Sequence, residues 1–167
     1  MKELFVKLQH VTPEFVKKKG NAILLDTCFF VHAFEHQKEH ELQKLISLHN
    51  VYMTSFNVAE FIHIDHKIGE RVRERARHFL RQDPDLKVLD VPVQPGQRAE
   101  EKEFMHAVDP YLAEDVPDPS DGVLMAAAIL AHATVLTKDK HDLFTVKLEN
   151  YLKRYGLSVY KDFHELM

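Results

Sequence analysis

Short apolar runs alternate along the chain with longer stretches that mix apolar and polar positions. Residues 22–26 (AILLD) are continuously apolar until the run stops at an acid, which is typical of a strand buried on both faces of a parallel sheet. Four further runs predict strands, at 51–53, 87–93, 134–137 and 157–160.

Helical signals fill the stretches between these runs. Thr12 can cap a helix that begins at Pro13 and ends at Gly20. Asp118 can cap a second helix whose first residue is Pro119, and this helix is apolar on most sides. The other predicted helices span 27–49, 54–81, 98–112 and 145–155, the stretch 113–121 predicts a loop, and residues 2–9 show no clear period.

Strands that alternate with helices predict an α/β fold. We expect a three-layer α/β/α sandwich around a mostly parallel central sheet. A chain of 167 residues suits one domain. We therefore expect residues 21–167 to form that domain and residues 1–20 to be an N-terminal helical extension.

The charge balance limits how the chain could contact nucleic acid. Its 22 Lys and Arg against 26 Asp and Glu give a net charge of −4, so contact with an anionic polymer needs a local basic patch or a metal ion. The single cysteine, Cys28, excludes an internal disulfide and a cysteine-rich zinc site. No apolar run is long enough to span a membrane or serve as a signal peptide, so we expect a cytoplasmic protein.

Four acids stand where predicted strands end or the next helices begin. Asp26 ends the first buried run, and Glu60 lies in the first turns of the helix that follows Thr54. Asp121 lies in the first turn of the apolar helix, and Asp139 follows the run 134–137. Because the carboxyl ends of parallel strands share one sheet edge, we expect these four acids to converge. Clustered carboxylates repel unless a cation intervenes, and oxygen ligands suit Mg²⁺ or Mn²⁺.

Each acid alone also has an ordinary structural interpretation. Asp121 could stabilise a helix N-terminus, and Asp139 could be a turn residue. Asp26 is harder to explain this way, because an acid directly after a buried strand needs a partner. Glu60 lies at the margin of an apolar helix face, where a surface glutamate is unusual. The coincidence of four acids at one edge therefore weighs more than any single one.

The sequence resembles the PIN-domain nuclease family in four motifs, in the family's order and at similar spacing. They are LLDTCFF (24–30), TSFNVAEF (54–61), SDGVLMAAAIL (120–130) and VLTKDKHDLF (135–144). Two features depart from the family pattern. Cys28 stands where Ser or Asn is commoner, and the smallest toxin-type members lack a segment like residues 1–20.

The resemblance implies a fold, a site and a reaction. It implies that Asp26, Glu60, Asp121 and Asp139 are the catalytic, metal-binding acids. It also gives secondary roles to four more residues, namely Thr137, Asp142, Asp118 and Thr27. The implied activity is a Mg²⁺- or Mn²⁺-dependent endoribonuclease that hydrolyses RNA phosphodiester bonds.

The biological role is left open by the sequence. The enzyme could be the toxin of a toxin–antitoxin pair, with an antitoxin protein as partner, and the resemblance implies a homodimer. The main alternative is a PIN-like module that binds RNA or protein without cutting, which the presence of all four acids disfavours. A haloacid-type phosphatase would need an acid where Cys28 stands.

Two surface patterns are also candidates for binding. The densest basic run of the chain contains three arginines spaced four residues apart, Arg73, Arg77 and Arg81. They are the candidate contacts to the RNA backbone. A solvated helix face is the more common explanation of such a pattern. His32, His36 and His40 would share one face of a continuous helix. Polar neighbours favour a solvated face here too, because three collinear ligands cannot easily surround one tetrahedral ion.

Overall fold

The computed structural model describes residues 1–116, 118–138 and 142–167, and within 142–148 it describes the side chain of Val146 only. The strands are β1 (His10–Val11), β2 (Ala22–Leu25), β3 (Asn50–Thr54), β4 (Leu86–Leu89), β5 (Thr134–Leu136) and β6 (Val159–Tyr160). The helices are α1 (Lys2–Val6), α2 (Pro13–Lys19), α3 (Thr27–Glu35), α4 (Glu39–Leu48), α5 (Ser55–Ile64), α6 (Glu70–Arg81), α7 (Arg98–Val108), α8 (Leu112–Asp115), α9 (Pro119–Ala131) and α10 (Asp142–Lys153). Short 3₁₀ turns follow at Asp65–Lys67 and Phe163–Leu166.

All the described strand pairs are parallel, in the order β1-β4-β3-β2-β5-β6. Alternate residues of β2 face opposite layers: Leu24 joins the core under α2, α7 and α9, whereas Ile23 and Leu25 join the core under α1 and α3 to α6. Burial on both faces explains why β2 is apolar at every position. The predicted three-layer α/β/α sandwich is confirmed.

Two helix predictions are confirmed at their caps. Thr12 Oγ1 accepts a hydrogen bond from the Phe15 amide (3.2 Å), and α2 ends at Gly20, whose φ is +75°. Asp118 Oδ1 accepts from the Ser120 amide (3.0 Å) at the start of α9. The first 20 residues supply more than helices, because β1 pairs with β4 at the edge of the sheet.

The predicted continuous helix over 27–49 is wrong. It ends at Glu35, Gln37 adopts a left-handed φ of +55°, and α4 begins at Glu39. The Lys38 amide donates to the Ala33 carbonyl (2.7 Å), the hydrogen bond that closes a helix whose next residue is left-handed. The break lets each helix turn its own apolar face to the core.

The predicted helix over 54–81 is also interrupted. α5 ends at Ile64, and α6 starts after Gly69, whose extended backbone forms its N-cap. Predicted helix 98–112 ends at Val108 because Asp109 precedes a proline, which disfavours helical backbone, and α8 begins the stretch predicted as a loop. Every helix in the described part of the chain is too short or too polar to cross a membrane.

Candidate functional site

The central strands end at one side of the sheet and carry acids there. Asp26 directly follows β2, and its amide donates to the carbonyl of Leu136 at the end of β5 (2.9 Å). The chain leaves β2 toward β3 on one side, whereas β5 lies on the other, so Asp26 stands where the strand order reverses. Ligands of open α/β sheets bind at such reversals.

Three of the four predicted acids line a single cleft of about 580 Å³. Asp26 comes from the end of β2, Glu60 from α5 and Asp121 from the first turn of α9. Their carboxylate oxygens do not form a set within 4.8 Å of one another, so they line the walls of the cleft without forming a closed cage. Asp139 lies outside the described residues.

Hydrogen bonds fix the Glu60 carboxylate. Its Oε1 accepts from Asn57 Nδ2 (3.0 Å) and lies 3.4 Å from Thr27 Oγ1, and its Oε2 accepts from Ser120 Oγ (2.8 Å). Burial raises the pKa of Glu60, the bond from Ser120 opposes that rise, and the charge of Asp26 adds to it.

Asn57 organises this part of the cleft. It is buried, its Oδ1 accepts from Thr54 Oγ1 (2.7 Å), and its Nδ2 also donates to Thr27 Oγ1 (3.0 Å). Thr54 at the same time caps α5 by accepting from the Asn57 amide (2.9 Å). The network therefore connects the end of β3 to Glu60 and to the first residue of α3.

The Asp26 carboxylate is held by residues from two other positions in the fold. The buried Thr137 donates from Oγ1 to Asp26 Oδ2 (2.7 Å), and Cys28 Sγ donates to the same oxygen at 3.2 Å. Partial desolvation of the thiol, followed by the Asp26 charge, raises the pKa of Cys28, which is an exposed residue, to about 12. Thr137 thus lies beside Asp26, as expected for a secondary residue of this site.

The remaining predicted site residues lie apart from these contacts or outside the described side chains. Asp118 is exposed and caps α9 through Ser120, so it positions the helix that carries Asp121. Asp142 begins α10, and its side chain lies outside the described part.

Two of the three candidate arginines of α6 pair with acids of the same helix. Arg73 pairs with Glu70, and Arg77 pairs with Glu70 (3.5 Å) and with Glu74. Arg81 is exposed at the end of the helix. The predicted basic ridge is therefore partly neutralised.

Sequence reasoning missed Ser120 and Lys138 as residues of the cleft, and it named Asn57 only within a motif. Asn57 lies one helical turn before Glu60, so helical spacing could have indicated it. Ser120 reaches Glu60 across 60 positions of sequence, and no local pattern signals that contact. Lys138 lines the cleft and its Nζ lies 3.4 Å from Asp162 Oδ2. Nothing in the local sequence signals that ion pair, which joins residues 24 positions apart.

A second cavity, of about 600 Å³, lies between α4 and α6. His40 and Phe79 line it, and the Arg75–Glu39 ion pair crosses from one helix to the other. None of the predicted site acids lines this cavity. The carboxylate cleft is therefore the better candidate for chemistry.

Comparisons with known proteins agree with this architecture. The model of the PIN domain family matches residues 23–146. VapBC2 from Rickettsia felis, solved bound to a DNA fragment from its promoter, is similar with a TM-score of 0.55 and 18% identity, covering 84% of this chain and 98% of that chain. FitAcB from Neisseria gonorrhoeae is similar with a TM-score of 0.50 and 18% identity, covering 86% of this chain and 99% of that chain. Likeness at this identity shows a shared fold. No curated protein sequence gives a significant match.

Proposed function

Because the chain belongs to the PIN domain family, as its four motifs predicted, we propose that it is a divalent-metal-dependent endoribonuclease. PIN domains are generally nucleases and usually use divalent metal ions. The observation that supports the proposal most is the cleft in which Asp26, Glu60 and Asp121 meet from distant parts of the sequence. Among the described residues that line it, Lys138 is the one lysine or arginine.

The donor set fits a hard divalent ion. Asp26, Glu60 and Asp121 offer carboxylate oxygens, with Asp139 as the proposed fourth ligand, and this chemistry favours Mg²⁺ or Mn²⁺. Mg²⁺ keeps several of its waters when it binds protein, so it does not require the carboxylates to form a closed cage. When bound, such an ion supplies Lewis-acid chemistry that activates water and neutralises charge on a phosphodiester.

The chain's own side chains prepare the cleft for that ion. Thr137 orients Asp26, while Ser120 and Asn57 each direct one oxygen of Glu60. These bonds hold carboxylates in place that would otherwise turn away from each other. Lys138 adds a cation at the wall of the cleft, where it is proposed to contact the RNA phosphate.

The proposed RNA track continues along α6. Arg73, Arg77 and Arg81 remain its candidates, and the acids that pair with Arg73 and Arg77 leave Arg81 as the strongest contact. Each phosphate contact contributes to salt-dependent binding through released counterions.

The proposed partners follow from the similar structures. Both are toxin–antitoxin complexes of PIN-domain proteins, which supports a role as a toxin with an antitoxin partner. We also propose that the chain forms a homodimer and acts in the cytoplasm, with residues 21–167 as the nuclease domain and residues 1–20 as an N-terminal extension.

A metal-titrated cleavage assay tests the activity. Wild-type protein and the Asp26→Asn variant are compared on structured and unstructured RNA. Asp90→Asn is a matched control, because Asp90 also follows a strand but lies exposed beside His10 at the sheet edge. We expect cleavage by wild type and Asp90→Asn in Mg²⁺ or Mn²⁺ and none by a folded Asp26→Asn. Equal cleavage by all three would place the site elsewhere, and RNA binding without cleavage at any metal concentration would favour the non-cleaving alternative.

A further inference from the structure

The last turn of α3 brings two imidazoles and a carboxylate together. His32, Glu35 and His36 each offer a ligating atom, and these atoms all lie within 4.8 Å of one another. The two imidazole rings have centroids 4.0 Å apart. The His36 amide donates to the His32 carbonyl (3.0 Å), so helical hydrogen bonding fixes the spacing of the pair.

We propose that His32, Glu35 and His36 bind a Zn²⁺-class transition-metal ion. Ligands of a tetrahedral zinc ion, each about 2.1 Å from the metal, lie roughly 3.4 Å apart. The three side chains therefore need to close by little more than 1 Å, roughly the reach of a small side-chain rotation. Two nitrogens and one oxygen leave a fourth position for water, which suits zinc and not Mg²⁺.

The helix break separates His40 from this site. A continuous helix would have placed His40 in line with the histidine pair, as the sequence suggested. Instead the left-handed Gln37 ends the helix and sends His40 to the cavity between α4 and α6. The remaining ligands occupy positions i, i+3 and i+4 on one turn, where they can converge.

The charges around this point include groups that favour a bound cation and two lysines that disfavour it. The C-terminal end of a helix carries a partial negative charge, and Glu35 adds a full one. Lys38 and Lys138 lie close enough to act on His32, and both oppose a cation. Asp162 offsets them, because its carboxylate lies 3.9 Å from Lys38 Nζ and 3.4 Å from Lys138 Nζ.

The site lies at the rim of the carboxylate cleft but differs from it chemically. His32 and Glu35 line the same cleft as Glu60 and Asp121. The cleft acids offer hard oxygens only, whereas the rim offers imidazole nitrogen. Zinc and magnesium should therefore distribute between the two sites according to ligand type.

Zinc titration of tag-free protein in excess Mg²⁺ tests the proposal. We expect one tight Zn²⁺ equivalent in wild type, and Co²⁺ in its place should give the visible d–d spectrum of a low-coordinate nitrogen site. His36→Asn should weaken Zn²⁺ binding by about 100-fold or more, since even the partners of metal ligands contribute 10–100-fold. Asparagine is well tolerated at a helix end, so this variant should fold.

Two variants separate this site from other sources of zinc binding. His40→Asn, on the next helix, is the matched control and should bind zinc as wild type does. Asp26→Asn removes a cleft acid and should also keep the tight zinc equivalent. Equal zinc affinity in wild type and a folded His36→Asn would overturn the proposal, as would loss of the equivalent in either control. These readouts use no RNA, so they stand whether or not the protein cleaves it.

Discussion

Replacement of Glu60 by Gln should make the metal-free protein more stable and the metal-loaded protein less so. The Glu60 carboxylate is held among Asn57, Thr27 and Ser120 in a partly buried position. Its pKa is raised mainly by burial, so ionising this carboxyl is less favourable in the folded protein than in the unfolded chain. Glutamine keeps the shape, and its amide group can donate to the Ser120 oxygen.

The expected change in stability follows from the linkage between a shifted pKa and the free energy of unfolding. Each unit by which the folded pKa exceeds the unfolded one costs about 1.4 kcal/mol of stability once the group is fully ionised. Because Glu60 is only partly buried, we expect the neutral variant to gain about 1 kcal/mol at pH 7. For a chain of this length that gain corresponds to a Tm rise of about 2–4 °C.

The pH dependence of the Tm difference between Glu60→Gln and wild type tests the direction of the Glu60 pKa shift a second time. A carboxyl with a raised folded pKa contributes its full stability below its ordinary pKa of 4.5 and loses it as pH rises through the folded value. The Tm difference between Glu60→Gln and wild type should therefore be near zero below pH 4.5 and grow toward neutral pH. Glu103→Gln, on the exposed surface of α7, should show no such growth.

Bound metal should reverse the order of the melting temperatures of wild type and Glu60→Gln. An ion that binds the folded state only adds about 2.7 kcal/mol at 100 times its Kd. Wild type should therefore melt above Glu60→Gln in saturating Mn²⁺, with both curves followed by calorimetry. A variant that melts below wild type in chelator, or that gains as much as wild type from Mn²⁺, would refute this account of Glu60.

Four further outcomes are expected. Thr137→Val should slow cleavage by about tenfold, because it removes a charge-assisted hydrogen bond to Asp26. Thr137→Ser keeps the hydroxyl and should restore the wild-type rate. Equal cleavage rates in wild type and both variants would show that the hydroxyl has no role. The Cys28 thiol, with its pKa raised from 9.0 to about 12, should react with iodoacetamide about 30–60-fold more slowly at pH 8 than a free thiol, because a more basic thiolate is scarcer but more nucleophilic. A rate typical of free cysteine would contradict the raised pKa. Asp118→Ala should lower the free energy of unfolding by about 1 kcal/mol, because it removes the cap of α9. Urea denaturation measures this loss. The control variant Asp118→Asn can still cap the helix and should lose much less stability. Arg81→Gln should reduce the salt slope of single-stranded RNA binding by about 0.7, and an unchanged slope would place the RNA track elsewhere.

The sheet and the location of the acids were predictable because they depend on strong local patterns. A strand buried on both faces must be apolar throughout, so the acid that ends β2 marks the point where the chain leaves the core. Caps such as Thr12 and Asp118 are equally local, since donor and acceptor lie within three residues.

The helix breaks and the contacts between residues far apart in the sequence were not predictable from local patterns. Gln37 carries no sequence signal for a left-handed backbone, so the helix end there was not predictable from local sequence. Gly69 was a visible signal, but a long apolar stripe outweighed it. The bond between Ser120 and Glu60 joins residues 60 positions apart, so only the folded chain reveals it.

The order of strands in the sheet has a consequence for synthesis on the ribosome. β2 is made early, but its neighbour β5 pairs Val135 with Leu24 and emerges more than a hundred residues later. Thr137 and the helix that carries Asp121 are also late products of translation. Such distant pairing is formed slowly and only once both partners exist. A translation product that stops before α9 therefore lacks Ser120, Asp121 and Lys138 of the cleft, and one that stops before β5 still lacks Lys138 and the Thr137 bond to Asp26, so the site is complete only near the end of synthesis.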